Sequence, residues 1–164
     1  MRRFVWIMSA VVALGCASVV ASATASAAPA PSAPAVTSTC AVSSQPIQIT
    51  GLAFQPPVVA AGQTSQATLS AVNCTDVAQQ ASAEWLGRFI GSAPVPPGCP
   101  VIDPILLPLN FPPHGQLTSS VGYLVPFSCT ATALVVTVEI LQNGKVVTQA
   151  SATLRIVHVV AAAV

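Results

Sequence analysis

Ala81-Ser82-Ala83-Glu84-Trp85-Leu86-Gly87-Arg88-Phe89-Ile90 alternates with a period of two: Ala81, Ala83, Trp85, Gly87 and Phe89 fall on one side, Glu84 and Arg88 on the other. This is the pattern of a strand with one face in a core and the other in water. The same period runs in both directions from it. Upstream, Ala67, Leu69 and Ala71 oppose Thr68 and Ser70; downstream, Leu117, Val121 and Tyr123 share a face. Strands are expected at about 47–54, 64–73, 81–90, 104–109, 116–125, 131–141 and 146–158, separated by Gly, Pro and Asn. No apolar period of 3.6 residues competes with them. Seven short strands with turn signals between them predict an all-β, seven-stranded antiparallel sandwich spanning residues 46–159.

Two segments qualify the pattern. Leu141-Gln142-Asn143-Gly144-Lys145 marks a hairpin. A two-residue Asn-Gly turn would set Leu134 against Thr153 and split the apolar faces. A three-residue loop, Gln142-Asn143-Gly144, sets Leu134 against Ala152 and Val136 against Ala150, so the face pattern favours the longer loop. Between Asp103 and Pro113, prolines confine the chain to a sheet edge, because proline cannot donate to a ladder. There Leu106, Leu107 and Phe111 either form an exposed docking patch or close the core, and closure is the expectation.

Outside the strands, the sequence speaks of compartment. Met1-Arg2-Arg3, an apolar run from Phe4 to Val20 and a small-residue exit through Ala27 make up a secretory signal peptide, residues 1–27. A Pro/Ala/Ser-rich arm at 28–45 follows, and 160–164 form a short tail. The processed chain is expected to be released, with no stable membrane span. The alternative is a lipid anchor on Cys16, which follows Ala13-Leu14-Gly15.

Processing leaves Cys40, Cys74, Cys99 and Cys129, an even set that reads as two disulfides in an exported chain. In an alternating sandwich, the start of the first strand and the end of the second lie at one pole, where Cys40 and Cys74 fall. Cys99 and Cys129 fall in loops at the opposite pole. Since a disulfide needs Cα atoms within about 7 Å, the favoured pairing is Cys40–Cys74 with Cys99–Cys129. A rival joins Cys74 to Cys129, because Cys74, Trp85 and Cys129 repeat the Cys–Trp–Cys order of antibody-type domains.

Losing Arg2 and Arg3 leaves Arg88, Lys145 and Arg155 against Asp76, Glu84, Asp103 and Glu139, a net charge of −1. So few cations exclude nucleic acid and anionic membrane as partners, since both require clustered Lys and Arg. Glu84, Arg88, Glu139 and Arg155 are expected to share one outward sheet face, paired across strands or forming an interaction surface. Glu84 with Glu139 could also support acid–base hydrolysis if a cleft held them. His114 and His158 lack companions for a metal site, no Gly-x-Ser-x-Gly elbow is present, and no cofactor is expected. Asn73-Cys74-Thr75 matches the glycosylation acceptor pattern, although a bonded Cys74 makes it a poor one.

Val59-Ala60-Ala61-Gly62-Gln63 followed by Ala67-Thr68-Leu69-Ser70-Ala71-Val72-Asn73 resembles bacterial immunoglobulin-like or adhesion-type β-sandwich modules, over about residues 46–158. That resemblance implies a non-catalytic binding or spacer role, with a protein, glycan or cell-envelope component as partner. A weaker likeness, to the two-disulfide sandwich apoproteins of secreted chromoproteins, implies a small-ligand carrier or inhibitor.

Overall fold

A computed structural model describes Cys40 and residues 45–158. The signal peptide, Cys16, the arm apart from Cys40 and Gln45, and the tail lie outside the described residues. The described chain is all-β, with eight strands and no helix: β1 (Ile47–Gln55), β2 (Val58–Ala60), β3 (Thr64–Asn73), β4 (Gln79–Ile90), β5 (Ile105–Phe111), β6 (Gln116–Leu124), β7 (Ala133–Gln142) and β8 (Lys145–Val157). They form a three-stranded sheet in the order β1-β3-β6 and a five-stranded sheet in the order β2-β8-β7-β4-β5. All neighbours are antiparallel except β2 and β8, which run parallel.

The eighth strand corrects the expected count of seven. β1 pairs with β3, but after the cis peptide Gln55–Pro56 the chain crosses to the other sheet, where Val58 lies beside Arg155. Arg155 N donates to the Pro57 carbonyl at 3.0 Å and Ser65 Oγ to that of Pro56 at 2.6 Å, fixing the crossing. A three-residue strand between Pro57 and a Gly62 turn is too short to show any period, so sequence reading passes over it.

Alternation explains the core. Ala67, Leu69 and Ala71 of β3, Tyr123 of β6, Ala83, Trp85 and Phe89 of β4, and Leu134, Val136, Val138 and Ile140 of β7 are all buried in one apolar cluster. At about 25 cal/mol per Å² of apolar surface removed from water, this shared interior is the main force holding the sheets together. Tyr123 meets Phe54 edge-on with ring centroids 6.0 Å apart.

The β7–β8 hairpin corrects the expected three-residue loop. Gln142 lies opposite Lys145, so the turn is Asn143-Gly144 alone, with φ of 51° and 73° at its two residues. Positive φ at both positions is what the two-residue turn of this hand requires, and Asn-Gly supplies it. The register then shifts between Leu141↔Val146 and Ile140↔Thr148, and beyond that bulge Leu134 meets Leu154 and Val136 meets Ala152. The bulge restores the face alignment that the two-residue turn alone would have broken.

Both disulfides follow the pole argument. Cys40 bonds Cys74 with Cα atoms 5.8 Å apart, and Cys99 bonds Cys129 at 4.3 Å. They span 34 and 30 residues, which on chain entropy corresponds to about 3–4 kcal/mol each. Two such bonds fit an oxidising, non-cytoplasmic environment. Among the described residues no helix is long and apolar enough to cross a membrane.

Candidate interaction face

The outward side of the five-stranded sheet gathers the expected charged residues, because even-numbered residues of β4, odd-numbered residues of β7 and, beyond its bulge, odd-numbered residues of β8 point away from the core. Its central rows follow from the register. Glu84 lies opposite Glu139, which lies opposite Gln149; Leu86, Thr137 and Ser151 form the next row; Arg88, Val135 and Thr153 the next; Ile90, Ala133 and Arg155 the last. Glu84 and Glu139 are half-buried on this face, Arg88 and Arg155 exposed. Thr137 and Ser151 hydrogen-bond through their hydroxyls at 2.8 Å.

The expected ion pairs do not form. Among the described residues the only contact between a basic and an acidic side chain is His114 Nε2 with Asp76 Oδ1, at 2.7 Å, between the β3–β4 and β5–β6 connections. The reason is register. Acid faces acid across β4 and β7, and Arg88 stands four residues from Glu84, about 13 Å along a strand. Like charges directly opposite destabilise a pair of strands, by roughly 0.2–1 kcal/mol.

β5 is the edge strand on the β4 side, as its prolines require, and it alternates. Leu106 is 63% exposed beside Glu84, and Leu107 packs partly against the core. Phe111 is 1% exposed and lies in the core, so it leaves the interaction surface: its odd position on β5 turns it inward with Leu109. The segment thus closes the core and leaves Leu106 outside.

The carboxylates sit on an open sheet. A recess of about 280 Å³ runs along β4 past its pairing with β5, lined by Gly87, Arg88, Phe89, Val95, Val101 and Ile102 among others. A second, of about 320 Å³, lies between Ser82, Leu106 and the Asn143-Gly144 turn. A third, of about 360 Å³, lies among Ala60, Ala61, Phe127 and His158. None of these is lined by Glu84 or Glu139. No group of three His, Cys, Asp or Glu side chains that could hold a metal occurs among the described residues.

Asn73 has a structural role. It is fully buried; its amide donates to the carbonyls of Val77 at 2.8 Å and Pro112 at 2.9 Å, and its Oδ1 accepts from Thr75 N and Oγ1 at 2.9 and 2.8 Å. An amide so placed is closed to glycosylation in the folded chain. Gln79 bonds Thr75 and Gln142 bonds Gln79, carrying this network to the end of β7. His158 Nε2 contacts the Ala131 carbonyl at 2.8 Å.

Sequence reading missed the exposed apolar residues of the pole held by Cys99–Cys129: Val95, Val101 and Phe127. A proline-rich loop has no period, so nothing in it tells inward from outward. It missed the Asp76–His114 contact as well, since 38 residues separate the two and only the fold brings their turns together.

No protein-family model matches the chain, and no curated protein matches it. Among solved structures, it is similar to part of the alkylpurine DNA glycosylase AlkC of Pseudomonas fluorescens bound to DNA containing an abasic site analogue, with TM-score 0.46 and 14% identity over 68% of this chain and 31% of that one. It is also similar to part of a β-glucosidase from Listeria innocua in complex with isofagomine, with TM-score 0.44 and 11% identity over 67% of this chain and 16% of that one. The chain spans under a third of either protein's length, and likeness at this level carries no argument about activity.

Proposed function

We propose that this is an exported, non-catalytic, immunoglobulin-like interaction module that binds through the outward face of its five-stranded sheet. One observation carries the reading: Glu84, Glu139, Arg88 and Arg155 stand on one broad face with no ion pair to one another. Charges left unpartnered within the chain favour complementarity with something outside it. The sheet orders, β1-β3-β6 facing β2-β8-β7-β4-β5, are compatible with an immunoglobulin-like arrangement in which the first strand is shared between sheets. Export rests on residues 1–27, and the cell envelope or the medium is the compartment in which a partner protein or glycan would be met.

The carrier reading has one observation in its favour, the apolar recess beside Val95, Val101 and Ile102. At about 280 Å³ it lies at the small end of small-molecule sites, which run from about 300 to 1,000 Å³. The hydrolase reading needs a cleft around Glu84 and Glu139, and these carboxylates lie on an open face.

The test is site-specific photo-crosslinking in culture, with the photoreactive residue at Leu86 on the five-stranded face or at Thr68 on the three-stranded face. Crosslinked species from Leu86 and none from Thr68 is the expected result; equal yields from both would sink the assignment of the face. N-terminal sequencing of the same secreted material is expected to begin at Ala28.

A further inference from the structure

We infer that the partner of this face is a second copy of the same chain, related by a twofold axis that lies in the contact plane and crosses the strands at the level of Leu86 and Thr137. This deepens the reading above and rests on it. The argument begins with charge arithmetic. Four of the seven Asp, Glu, Lys and Arg side chains outside the signal segment lie on this one face. They are sorted along it: the two acids share one row, and the two arginines lie two and three rows away.

Turning a copy over about such an axis lays β4 on β4 and β7 on β7 in opposite directions. Glu84 and Arg88 are equally far from Leu86, two residues to either side. Glu84 of each copy therefore meets the partner's Arg88, twice by symmetry. Glu139 then lies one row and one strand from the partner's Arg155, about 8 Å in the plane of the sheets, and facing sheets are about 10 Å apart. Glutamate and arginine side chains together span that gap. Each operation of the axis thus places a cation near an acid of the Glu84–Glu139 pair, which in the single chain repel each other. At the centre Leu86 would pack on the partner's Leu86 and Thr137 on the partner's Thr137, while Val135 would meet the aliphatic stem of the partner's Glu139.

The contact is carried by β4, β7 and β8, because β2 and β5 lie on opposite sides of the axis and do not meet their copies. Three strands about 4.8 Å apart and overlapping over about 30 Å present roughly 430 Å² per copy, about half the roughly 800 Å² per partner of a standard interface, which fits a weak, reversible dimer. The contact is isologous, as a closed dimer requires, and leaves no complementary patch to propagate a filament.

The experiment is sedimentation velocity of the oxidised chain across micromolar to millimolar concentration, with four proteins. The wild type is expected to dimerise reversibly, with a Kd that rises with salt. E84R and R88E are each expected to raise Kd at least tenfold while staying folded, R88E melting near the wild-type temperature because Arg88 is exposed and E84R no lower than it because the change also relieves the Glu84–Glu139 repulsion. The double variant E84R/R88E is expected to regain self-association and to refuse wild-type partners, and an equimolar mixture of E84R with R88E to associate. A wild type that stays monomeric at millimolar concentration would overturn the second copy as occupant. So would a dimer indifferent to both single reversals, or a double variant that does not recover. The Leu86 crosslinking result, to any partner, separates failure of this dimer from failure of the face itself.

Discussion

The two outer faces of this molecule are wetted in different ways. On the three-stranded sheet, β1, β3 and β6 contain no charged side chain; their outward positions carry Gln66, Thr68, Ser70, Thr118 and Ser120, with Thr68 and Ser120 hydrogen-bonded at 3.0 Å. The five-stranded sheet has hydroxyls of the same kind at Thr137 and Ser151, and adds two acids and two arginines with no ion pair between them. Hydroxyls and amides keep a surface wet and satisfy one another locally. Isolated charges impose direction, because each prefers an opposite charge and each must be solvated if it finds none. A chain so poor in charge places most of it on one side, and leaves the other to be wetted by hydroxyls and amides.

The largest test of that contrast asks whether inside and outside separate on a single strand of the charged sheet. Phe111→Ala is expected to cost about 3–5 kcal/mol in chemical denaturation, the range for a fully buried Phe, while Leu106→Ala five residues earlier costs under about 0.5 kcal/mol. Similar losses at both positions would mean that the edge strand does not alternate as described.

A smaller effect, on the other sheet, comes from titration. Tyr123 is the only titratable side chain in β1, β3 or β6, and burial pushes its phenol up to about 12. The folded state thus holds the proton more tightly than the unfolded chain, whose phenol titrates near 10. Its stabilising contribution is intact below pH 10 and is lost as pH rises towards 12, by up to about 2 kcal/mol. Tyr123→Phe is expected to flatten that alkaline slope in pH-dependent denaturation. At pH 7 it should cost little, because the buried Tyr123 hydroxyl has no hydrogen-bond partner among the described residues. An unchanged alkaline slope in Tyr123→Phe would remove the phenol from the account.

Matched hydroxyl deletions sharpen the comparison further. Thr68→Val and Thr137→Val each break one cross-strand hydroxyl pair, and each is expected to lower stability by about 0.5–1 kcal/mol. Only Thr137→Val should also alter self-association in sedimentation. The smallest effect is Glu139→Gln, which relieves the like-charge pair and is expected to stabilise the dilute monomer by a few tenths of a kcal/mol at pH 7. A destabilised Glu139→Gln would mean that Glu84 and Glu139 do not repel.

Much of the fold was legible because a half-buried strand writes its two environments alternately. Ala67-Leu69-Ala71 and Ala83-Trp85 read inward from the letters and are buried in the structure. The candidate face was legible in part. Its four charged members were visible as outward positions, but whether acid would face acid depended on register, which no single strand specifies. The β7–β8 hairpin shows why. Turn chemistry favoured two residues and the face pattern favoured even alignment, and both hold because a bulge near Val147 lies between them. Sequence reading had to choose one signal; the folded chain absorbed one extra residue and kept both.

What the residues determined by themselves is therefore the local record: the alternating strands, the edge position forced by Pro104, Pro108, Pro112 and Pro113, and four cysteines whose places at strand ends paired them by pole. The tertiary structure alone decided three things. It split the first strand across two sheets at Pro56. It drew Phe111 into the core while leaving Leu106 outside. And it set Glu84 against Glu139 with the arginines beyond reach. The physical reason is common to all three. Burial and hydrogen bonding along a strand are local and leave a periodic trace, whereas the neighbour across a strand is chosen by the whole core at once.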